Sequence, residues 1–340
     1  MEVIRVANVQ QALPEACYRM DLRGVETETR NGKALTAPGA WTTVYENPNE
    51  RVLFWEQRDA NPFFHLAECI WMLGGRDDVA WISEFSSNIG QFSDDGKRFG
   101  GAYGHRWRLA FGFDQLTTII RNLTENPNCR RQVLTMWSPN DLVDQSRKKD
   151  VPCNTQAFFQ VAPNGKLDLM VMNRSNDLVW GAYGANAVHF SFLLEVVAAY
   201  VGVEVGTYTQ VSMNTHVYER HYDLVQTLKM FAPDVMAGQR LGDLDPYALR
   251  EVTAHPVVEN AGMFSHDITL AMEFATRGYS NPFFPDVYLP MVEAWRIFKE
   301  NKDWPEKRVD LALERLEGCR APDWKRAATE WLERRRTPKP

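Results

Sequence analysis

The segment from Ala187 to Val201 is the feature that most constrains the fold of this chain. It is apolar around most of its circumference and has the length of about four turns of α-helix. A helix that is apolar on most faces must be buried on most faces, so the segment predicts a central helix inside a large core. The overlapping stretch Phe190–Val203 is interrupted by Ser191 and Glu195 and is too short to span a bilayer. A soluble protein without a membrane partner is therefore expected.

Patterns on either side of this helix predict both helices and strands. Thr155–Val161 and Leu167–Met172 flank Asn164-Gly165, a dipeptide typical of a tight hairpin. Two further strands are predicted at Gln132–Trp137 and Gly206–Val211, and a long loop at Ser86–Gly104. Further helices are predicted at Asn61–Gly74, Asp77–Phe85, Phe113–Asn122, Glu219–Phe231, Leu289–Lys299, Arg308–Glu317 and Trp324–Arg336. Because the elements do not alternate regularly, the pattern favours an α+β layered fold with a mixed, mostly antiparallel sheet.

Charge and cysteine content narrow the class of function. The formal net charge of −6 disfavours binding to polymeric nucleic acid, because such binding relies on basic residues that face phosphates. The five cysteines are widely spaced and include no Cys-x-x-Cys pair, so we expect neither a disulfide framework nor a metal site. Free thiols, and an N-terminus without an apolar signal region, predict a cytoplasmic protein.

The residues best suited to catalysis begin at Val151-Pro152-Cys153. Further along come Asn173-Arg174-Ser175-Asn176-Asp177, and then Gly181 and Asn186. A thiol becomes an effective nucleophile when nearby positive charge stabilises its thiolate, and Arg174 is the candidate for that charge. Taken alone, a single cysteine in an apolar region is more often a small buried side chain. The case for catalysis therefore depends on the wider pattern.

That pattern resembles the thymidylate synthase superfamily, which includes the pyrimidine-nucleotide hydroxymethylases. The similarity runs from about Arg30 to about His221, through Glu68, Leu73-Gly74-Gly75, Tyr103-Gly104, Arg130-Arg131, Pro152-Cys153, Arg174 to Asn186, and His216-Val217-Tyr218. It implies a single catalytic domain over residues 1–340, with a core at about 25–235 and a helical C-terminal extension over 236–340. It also implies the three-layer fold of that family and a homodimer that packs through its sheets.

The resemblance implies a role for each matching residue. Cys153 would add to C6 of the pyrimidine, Glu68 would be the acid–base carboxylate, and Asn186 would contact the pyrimidine edge. The implied phosphate contacts are Arg30, Arg174, Ser175 and, from the dimer partner, Arg130 and Arg131, while His216 and Tyr218 would bind the sugar. The substrate would be a pyrimidine nucleoside monophosphate and the co-substrate 5,10-methylenetetrahydrofolate, which Asp177, Tyr103 and Gly181 would border.

Three departures distinguish the chain from the methylating members of that family. Asn154 follows the cysteine where those members usually carry histidine, and Ile89 and Phe92 replace the two tryptophans of a Trp-x-x-Trp element. The terminal Thr337 to Pro340 does not resemble the apolar tail that closes a synthase site. Loss of the shielding aromatic and of the closing tail would admit water to an exocyclic methylene, which favours a hydroxymethyl product.

The leading hypothesis is a folate-dependent pyrimidine-nucleotide 5-hydroxymethyltransferase. CMP or dCMP is the favoured substrate, because the long Gly181–His189 turn resembles cytidylate hydroxymethylases, while Asn186 resembles uracil readers and keeps dUMP possible. The alternatives are a divergent thymidylate synthase that makes dTMP, an inactive nucleotide-binding protein, and a cysteine hydrolase that uses Cys153 and His216.

Overall fold

The computed structural model describes residues 1–143, 148–232, 244–259, 261–301 and 303–336. The strands are β1 (Glu2–Val6), β2 (Val25–Thr29), β3 (Gly32–Thr36), β4 (Trp41–Tyr45), β5 (Val133–Thr135), β6 (Asn154–Val161), β7 (Leu167–Asn173), β8 (Asn176–Asp177), β9 (Val205–Ser212) and β10 (Thr215–Tyr218). The helices are α1 (Val9–Arg23), α2 (Pro62–Leu73), α3 (Val79–Ser83), α4 (Tyr103–Arg108), α5 (Gln115–Glu125), α6 (Asn186–Val201), α7 (Tyr222–Leu228), α8 (Ala261–Met272), α9 (Leu289–Glu300), α10 (Pro305–Leu316) and α11 (Pro322–Glu333). The predicted α+β class is confirmed.

Two mixed sheets organise these elements. The larger has the order β1-β4-β9-β7-β6-β5 and the smaller the order β2-β3-β10-β8. In the larger sheet, β1 with β4 and β7 with β9 are parallel pairs and the other neighbours are antiparallel. The predicted hairpin joins β6 to β7, and Gly165 in its turn has φ +81°, a conformation that favours glycine. The predicted loop over Ser86–Gly104 contains a 3₁₀ turn at Ile89–Phe92, and the predicted helix over Glu219–Phe231 is regular only in α7.

The central helix lies where its sequence requires. α6 packs on β7 and β9 of the larger sheet and is covered by α2, α5 and α8. The segment Leu178–Val201, which is kinked at Tyr183 and Gly184, has the length and apolar composition of a membrane span, but 78% of its apolar window is buried inside the protein. Packing in the core therefore accounts for the apolar character of this segment.

The opposite side of the larger sheet carries exposed apolar side chains. Val133 pairs with Phe158, and Phe158 with Met170, so the three form a row across β5, β6 and β7. Their exposed fractions are 38%, 37% and 42%. The adjacent row of Leu134, Ala157 and Val171 is buried, as expected for side chains that alternate between the faces of a sheet. We call the side with Val133, Phe158 and Met170 the open sheet face.

Elements near the two ends of the chain pack on the central sheet and helices. β1 forms the edge of the larger sheet beside β4, and α1 packs on α7. α8, α9 and α11 all contact α2, the helix that carries Glu68. Residues that lie far apart in the chain thus support α2 and α6, the two helices that border the candidate site.

Candidate active site

Cys153 immediately precedes β6 and is held by the first residue of α4. The backbone N–H groups of Cys153 and Asn154 donate to Oη of Tyr103 at 3.1 and 3.2 Å. Gly104 lets α4 approach α2 closely, because a Cβ at this position would overlap the carbonyl group of Met72. The Tyr103-Gly104 pair therefore fixes the backbone on which the thiol is mounted.

Arg174 supplies the positive charge beside the thiol, as predicted. Its guanidinium donates through Nε to the carbonyl oxygen of Pro152 at 2.8 Å and through Nη2 to that of Val151 at 2.9 Å. Nη2 also lies 3.8 Å from Sγ of Cys153. Burial raises the pKa of the Cys153 thiol above its ordinary value, and the charge of Arg174 opposes that rise. The arginine thus favours the thiolate on which nucleophilic attack depends.

A series of hydrogen-bonded, buried amide side chains connects Asn186 to the segment Val151-Pro152-Cys153, which we call the thiol segment. Asn154 Nδ2 donates to Asn186 Oδ1 at 3.2 Å, and Asn186 Nδ2 donates to Asn176 Oδ1 at 3.1 Å. Asn176 Nδ2 in turn donates to Ser212 Oγ at 3.2 Å. Gly181 is required beside this chain, because a Cβ there would overlap Asn176 Oδ1. The network fixes which side of the Asn186 amide presents oxygen and which presents nitrogen.

Sequence reasoning did not assign Asn154 or Asn176 a part in this network. Asn154 is fully buried, and its Oδ1 has no hydrogen-bond partner among the described residues. Both asparagines lie next to predicted site residues, Cys153 and Asp177, and the sequence marked Asn154 only as a departure from the usual histidine.

Glu68 lies on α2 with His189 of α6 directly against it. Oε2 of Glu68 and Nε2 of His189 are 3.1 Å apart, and the side chains are 18% and 4% exposed. His189 follows Asn186 by three residues, which places it one turn further along the same side of α6. That spacing was the available signal for His189, which sequence reasoning did not single out. The structure thus brings the predicted acid–base carboxylate to the helix that carries the predicted base reader.

Asp177 lies on another side of the site. Its Oδ1 accepts hydrogen bonds from the backbone N–H groups of Val179 and Trp180, both at 2.8 Å. The exposed ring of Trp180 lies under the guanidinium of Arg58, 4.8 Å from its centroid, and Arg58 Nε donates to Val179 O at 2.8 Å. Burial lowers the pKa of Arg58 to about 10. The exposed ring of Trp180 therefore lies close to the Asp177 carboxylate, whose second oxygen accepts neither of these two hydrogen bonds.

The predicted sugar contacts His216 and Tyr218 lie on β10 of the smaller sheet, and the predicted phosphate contact Arg30 lies in the turn between β2 and β3. His216 of β10 is aligned with Asp177 of β8, and burial lowers its pKa. Tyr218 accepts a hydrogen bond from Asn31 at 3.2 Å, and the adjacent Arg30 lies 3.4 Å from the carbonyl oxygen of Lys148. Ser175 follows Arg174 and is half-buried. These residues therefore border the thiol segment from one side.

Arg130 and Arg131 are not part of this group. Both side chains are exposed, and they precede β5 at the edge of the larger sheet. No hydrogen bond or ion pair within the described residues joins either arginine to Cys153 or Arg174. Their predicted role across a dimer interface stays a prediction.

The loop that contains the two tryptophan replacements is tied to the thiol segment. Asp94 accepts from Lys149 N at 2.6 Å, and Asp150 accepts from Gly101 N at 2.8 Å. Ile89 packs partly buried against the core, whereas Phe92 is exposed. The terminal Thr337 to Pro340, predicted not to close the site, lies outside the described residues.

Comparison with known proteins decides the family. The family model described as thymidylate synthase matches residues 17–238, more than half of the chain. This chain belongs to the thymidylate synthase family. The predicted superfamily and the class of one-carbon transferase are thus confirmed, and the two mixed sheets with their helices are consistent with the thymidylate synthase fold.

Individual relatives in this family carry two different names. The deoxyuridylate hydroxymethyltransferase of Pseudomonas phage M6 is 49% identical over 99% of this chain and 95% of its own length. The protein of the same name from Bacillus phage SP01 is 42% identical over 52% of this chain and 49% of its own length. The thymidylate synthase of Symbiobacterium thermophilum is 30% identical over 59% of this chain and 70% of its own length. The high, nearly full-length identity to the phage M6 protein supports a hydroxymethyltransferase.

Proposed function

We propose that this member of the thymidylate synthase family is a folate-dependent hydroxymethyltransferase that acts at C5 of dUMP. The observation that carries the choice of base is the orientation of Asn186 between Asn154 and Asn176. The name of the phage M6 relative points to the same nucleotide. This proposal places dUMP ahead of CMP and dCMP, which the sequence favoured.

Hydrogen-bond complementarity supports uracil over cytosine. With the neighbours in their present orientations, Asn186 Oδ1 keeps a lone pair and Nδ2 keeps a second N–H. Uracil offers a donor at N3 and an acceptor at O4, which matches that pair. Cytosine offers an acceptor at N3 and a donor at N4, so Asn186 would have to flip. After that flip, the Asn186 nitrogen would face Asn154 Nδ2, and the Asn186 oxygen would face Asn176 Oδ1. Both present hydrogen bonds of the amide would then be lost.

The chemistry follows from the residues around the thiol. The Cys153 thiolate, favoured by Arg174, adds to C6 and converts C5 into an enolate-type nucleophile. Bound methylenetetrahydrofolate would supply the one-carbon unit at the aldehyde level. C5 bonds to that carbon and loses its proton, and tetrahydrofolate departs as the carbon–nitrogen bond breaks, which leaves an exocyclic methylene on the nucleotide. The second oxygen of Asp177 and the exposed ring of Trp180 suit the amino groups and the flat rings of a pterin. With Ile89 and Phe92 in place of shielding tryptophans, water reaches the exocyclic methylene and forms the hydroxymethyl group.

The open sheet face supports a homodimer as part of this proposal. Val133, Phe158 and Met170 form an exposed apolar row, and exposed apolar rows on a sheet are typical of surfaces that become covered. Arg130 and Arg131 lie beside β5 at the edge of this sheet, from which they would reach the site of a second copy.

One experiment tests substrate and product together. The purified protein is incubated separately with dUMP, dCMP and CMP in the presence of methylenetetrahydrofolate, and the nucleotide products are weighed by mass spectrometry. We expect a 5-hydroxymethyl product from dUMP, oxygen from ¹⁸O-labelled water in that product, and no rise in dihydrofolate absorbance. A hydroxymethyl product from dCMP alone would overturn the choice of base. A methylated product with dihydrofolate would identify a thymidylate synthase instead, and no product from any nucleotide would favour an inactive binding protein.

A further inference from the structure

We propose that His189 is a positioning residue for the water-addition step. It holds one oxygen of the Glu68 carboxylate and leaves the other to take a proton from the attacking water. The proposal deepens the hydroxymethyl transfer proposed above and rests on it.

The geometry of the pair carries the proposal. Nε2 of His189 and Oε2 of Glu68 lie 3.1 Å apart, within ion-pair distance, both atoms are buried, and neither forms a hydrogen bond with any described residue. The Glu68 side chain as a whole is nonetheless 18% exposed. One side of the carboxylate therefore faces the histidine, and the other side remains accessible.

The position of the pair connects it to the thiol. Asn154 follows Cys153 directly and donates to Asn186, and His189 lies one helical turn beyond Asn186 on α6. Glu68 approaches this turn from α2, which packs on α6. The thiol, the amide that contacts the base and the Glu68–His189 pair therefore follow one another along a continuous path.

A second histidine ring, that of His65, lies beside His189. The pKa of His65, whose ring meets that of His189 edge-on, is held well below its usual range by burial and by the charges of Arg58 and His189. The neighbouring cation Arg51 is already paired with Glu195. Glu68 is thus the anion that directly contacts His189.

The proposed step balances as follows. Water adds to the exocyclic methylene, so a C–O bond forms and the methylene π pair moves into an enolate at C5 and C4. The proton of the water passes to the accessible oxygen of Glu68, which later releases it to solvent. The enolate then restores the C5–C6 double bond, the C6–S bond breaks, and Cys153 leaves as a thiolate. His189 exchanges no proton in this step; its contact with Oε2 fixes the direction of the Glu68 carboxylate.

The test separates water activation from earlier steps. The full-length His189→Leu protein is assayed with dUMP and methylenetetrahydrofolate, with and without 2-mercaptoethanol, whose thiolate attacks the methylene without a general base. We expect hydroxymethyl product to form at least tenfold more slowly, the KM for dUMP to change less than threefold, and the 5-thioether nucleotide to accumulate when the thiol is present. His255→Leu is the matched control, since His255 Nε2 is also buried and unpartnered among the described residues. This control should retain the wild-type rate and product.

Two outcomes with His189→Leu would overturn the role of His189. The hydroxymethyl rate could stay within twofold of wild type, or the hydroxymethyl and thioether products could fall together, which would place the defect before water addition. If His189→Leu does not fold, His189→Gln and His189→Asn replace it. The glutamine amide reaches the position of Nε2 and the asparagine amide does not, so equal rates for these two variants would also overturn the role. A methylated product from wild type would instead overturn the proposed function itself.

Discussion

Nη2 of Arg174 lies 3.8 Å from the sulfur of Cys153, and two backbone carbonyl groups hold the guanidinium in that place. Burial raises the pKa of the Cys153 thiol, and the positive charge of Arg174 lowers it. Burial favours the protonated thiol, and the fixed arginine favours the thiolate that nucleophilic attack requires.

Loss of the Arg174 charge should make Cys153 less reactive at a given pH. Arg174→Gln removes the group that lowers the thiol pKa, so the pH at half-maximal alkylation by iodoacetamide should move upward. Arg174→Lys retains a charge and should move it less. Alkylation is followed on the Cys153 peptide by mass spectrometry, because Cys129 is also partly exposed. Superimposable pH profiles for Gln and wild type would mean that the arginine does not act on the thiol.

Replacing the base-contacting amide by a carboxylate should change the preference between bases. Asn186→Asp loses the N–H proposed for uracil O4 and places an oxygen against Asn176 Oδ1. We expect kcat/KM for dUMP to fall roughly 100-fold, the scale of an unpaired buried polar group, while kcat/KM for dCMP falls less or rises. Steady-state rates with both nucleotides measure this. An equal loss for both bases would show that Asn186 does not choose between them.

Elements with strong local signals were predictable from the sequence. α6 and the β6–β7 hairpin have periodicity and turn chemistry that do not depend on distant residues. β2 was missed because Val25–Thr29 is a polar, exposed segment that becomes a strand only by pairing with β3. Pairing of this kind is a tertiary effect that the composition of a segment does not reveal.

In the site, too, residues within local motifs could be predicted, whereas contacts between distant segments could not. Cys153 and Arg174 were predictable because each lies in a recognisable motif, and the structure places them together. The contact between Glu68 and His189 joins two helices whose crossing is set by the whole core. Their chain separation gives no sign of that contact; the spacing from Asn186 places His189 on the same side of α6 but does not reveal Glu68 as its neighbour.

A single methyl group at Gly181 should disturb the amide network. In Gly181→Ala, the new Cβ would overlap Asn176 Oδ1 and so displace the partner that orients Asn186. We expect a loss of about 1–3 kcal/mol in unfolding free energy and a fall in kcat/KM for dUMP. Gly100→Ala is the matched control, because a Cβ there meets no atom within 4 Å. Chemical denaturation and steady-state kinetics measure both variants, and equal behaviour would remove the steric argument for Gly181.

Subunit exchange should reveal whether two chains build each site. Arg131→Ala and Cys153→Ala proteins should each be inactive, the first for lack of a phosphate contact and the second for lack of the nucleophile. If Arg131 serves the partner's site, one site of the mixed dimer has both residues intact. Mixing the proteins should then restore up to about one quarter of wild-type activity, since half of the dimers are mixed and each has one intact site of two. The matched control pairs Cys153→Ala with Arg174→Ala, which lie in the same chain's site and should not complement, because neither site of that mixed dimer is intact. Arg131→Ala mixed with a double Arg131→Ala, Cys153→Ala protein should not complement either. Exchange is confirmed by native mass spectrometry. Full exchange without recovery for the Arg131→Ala and Cys153→Ala mixture would show that Arg131 does not serve a partner's site.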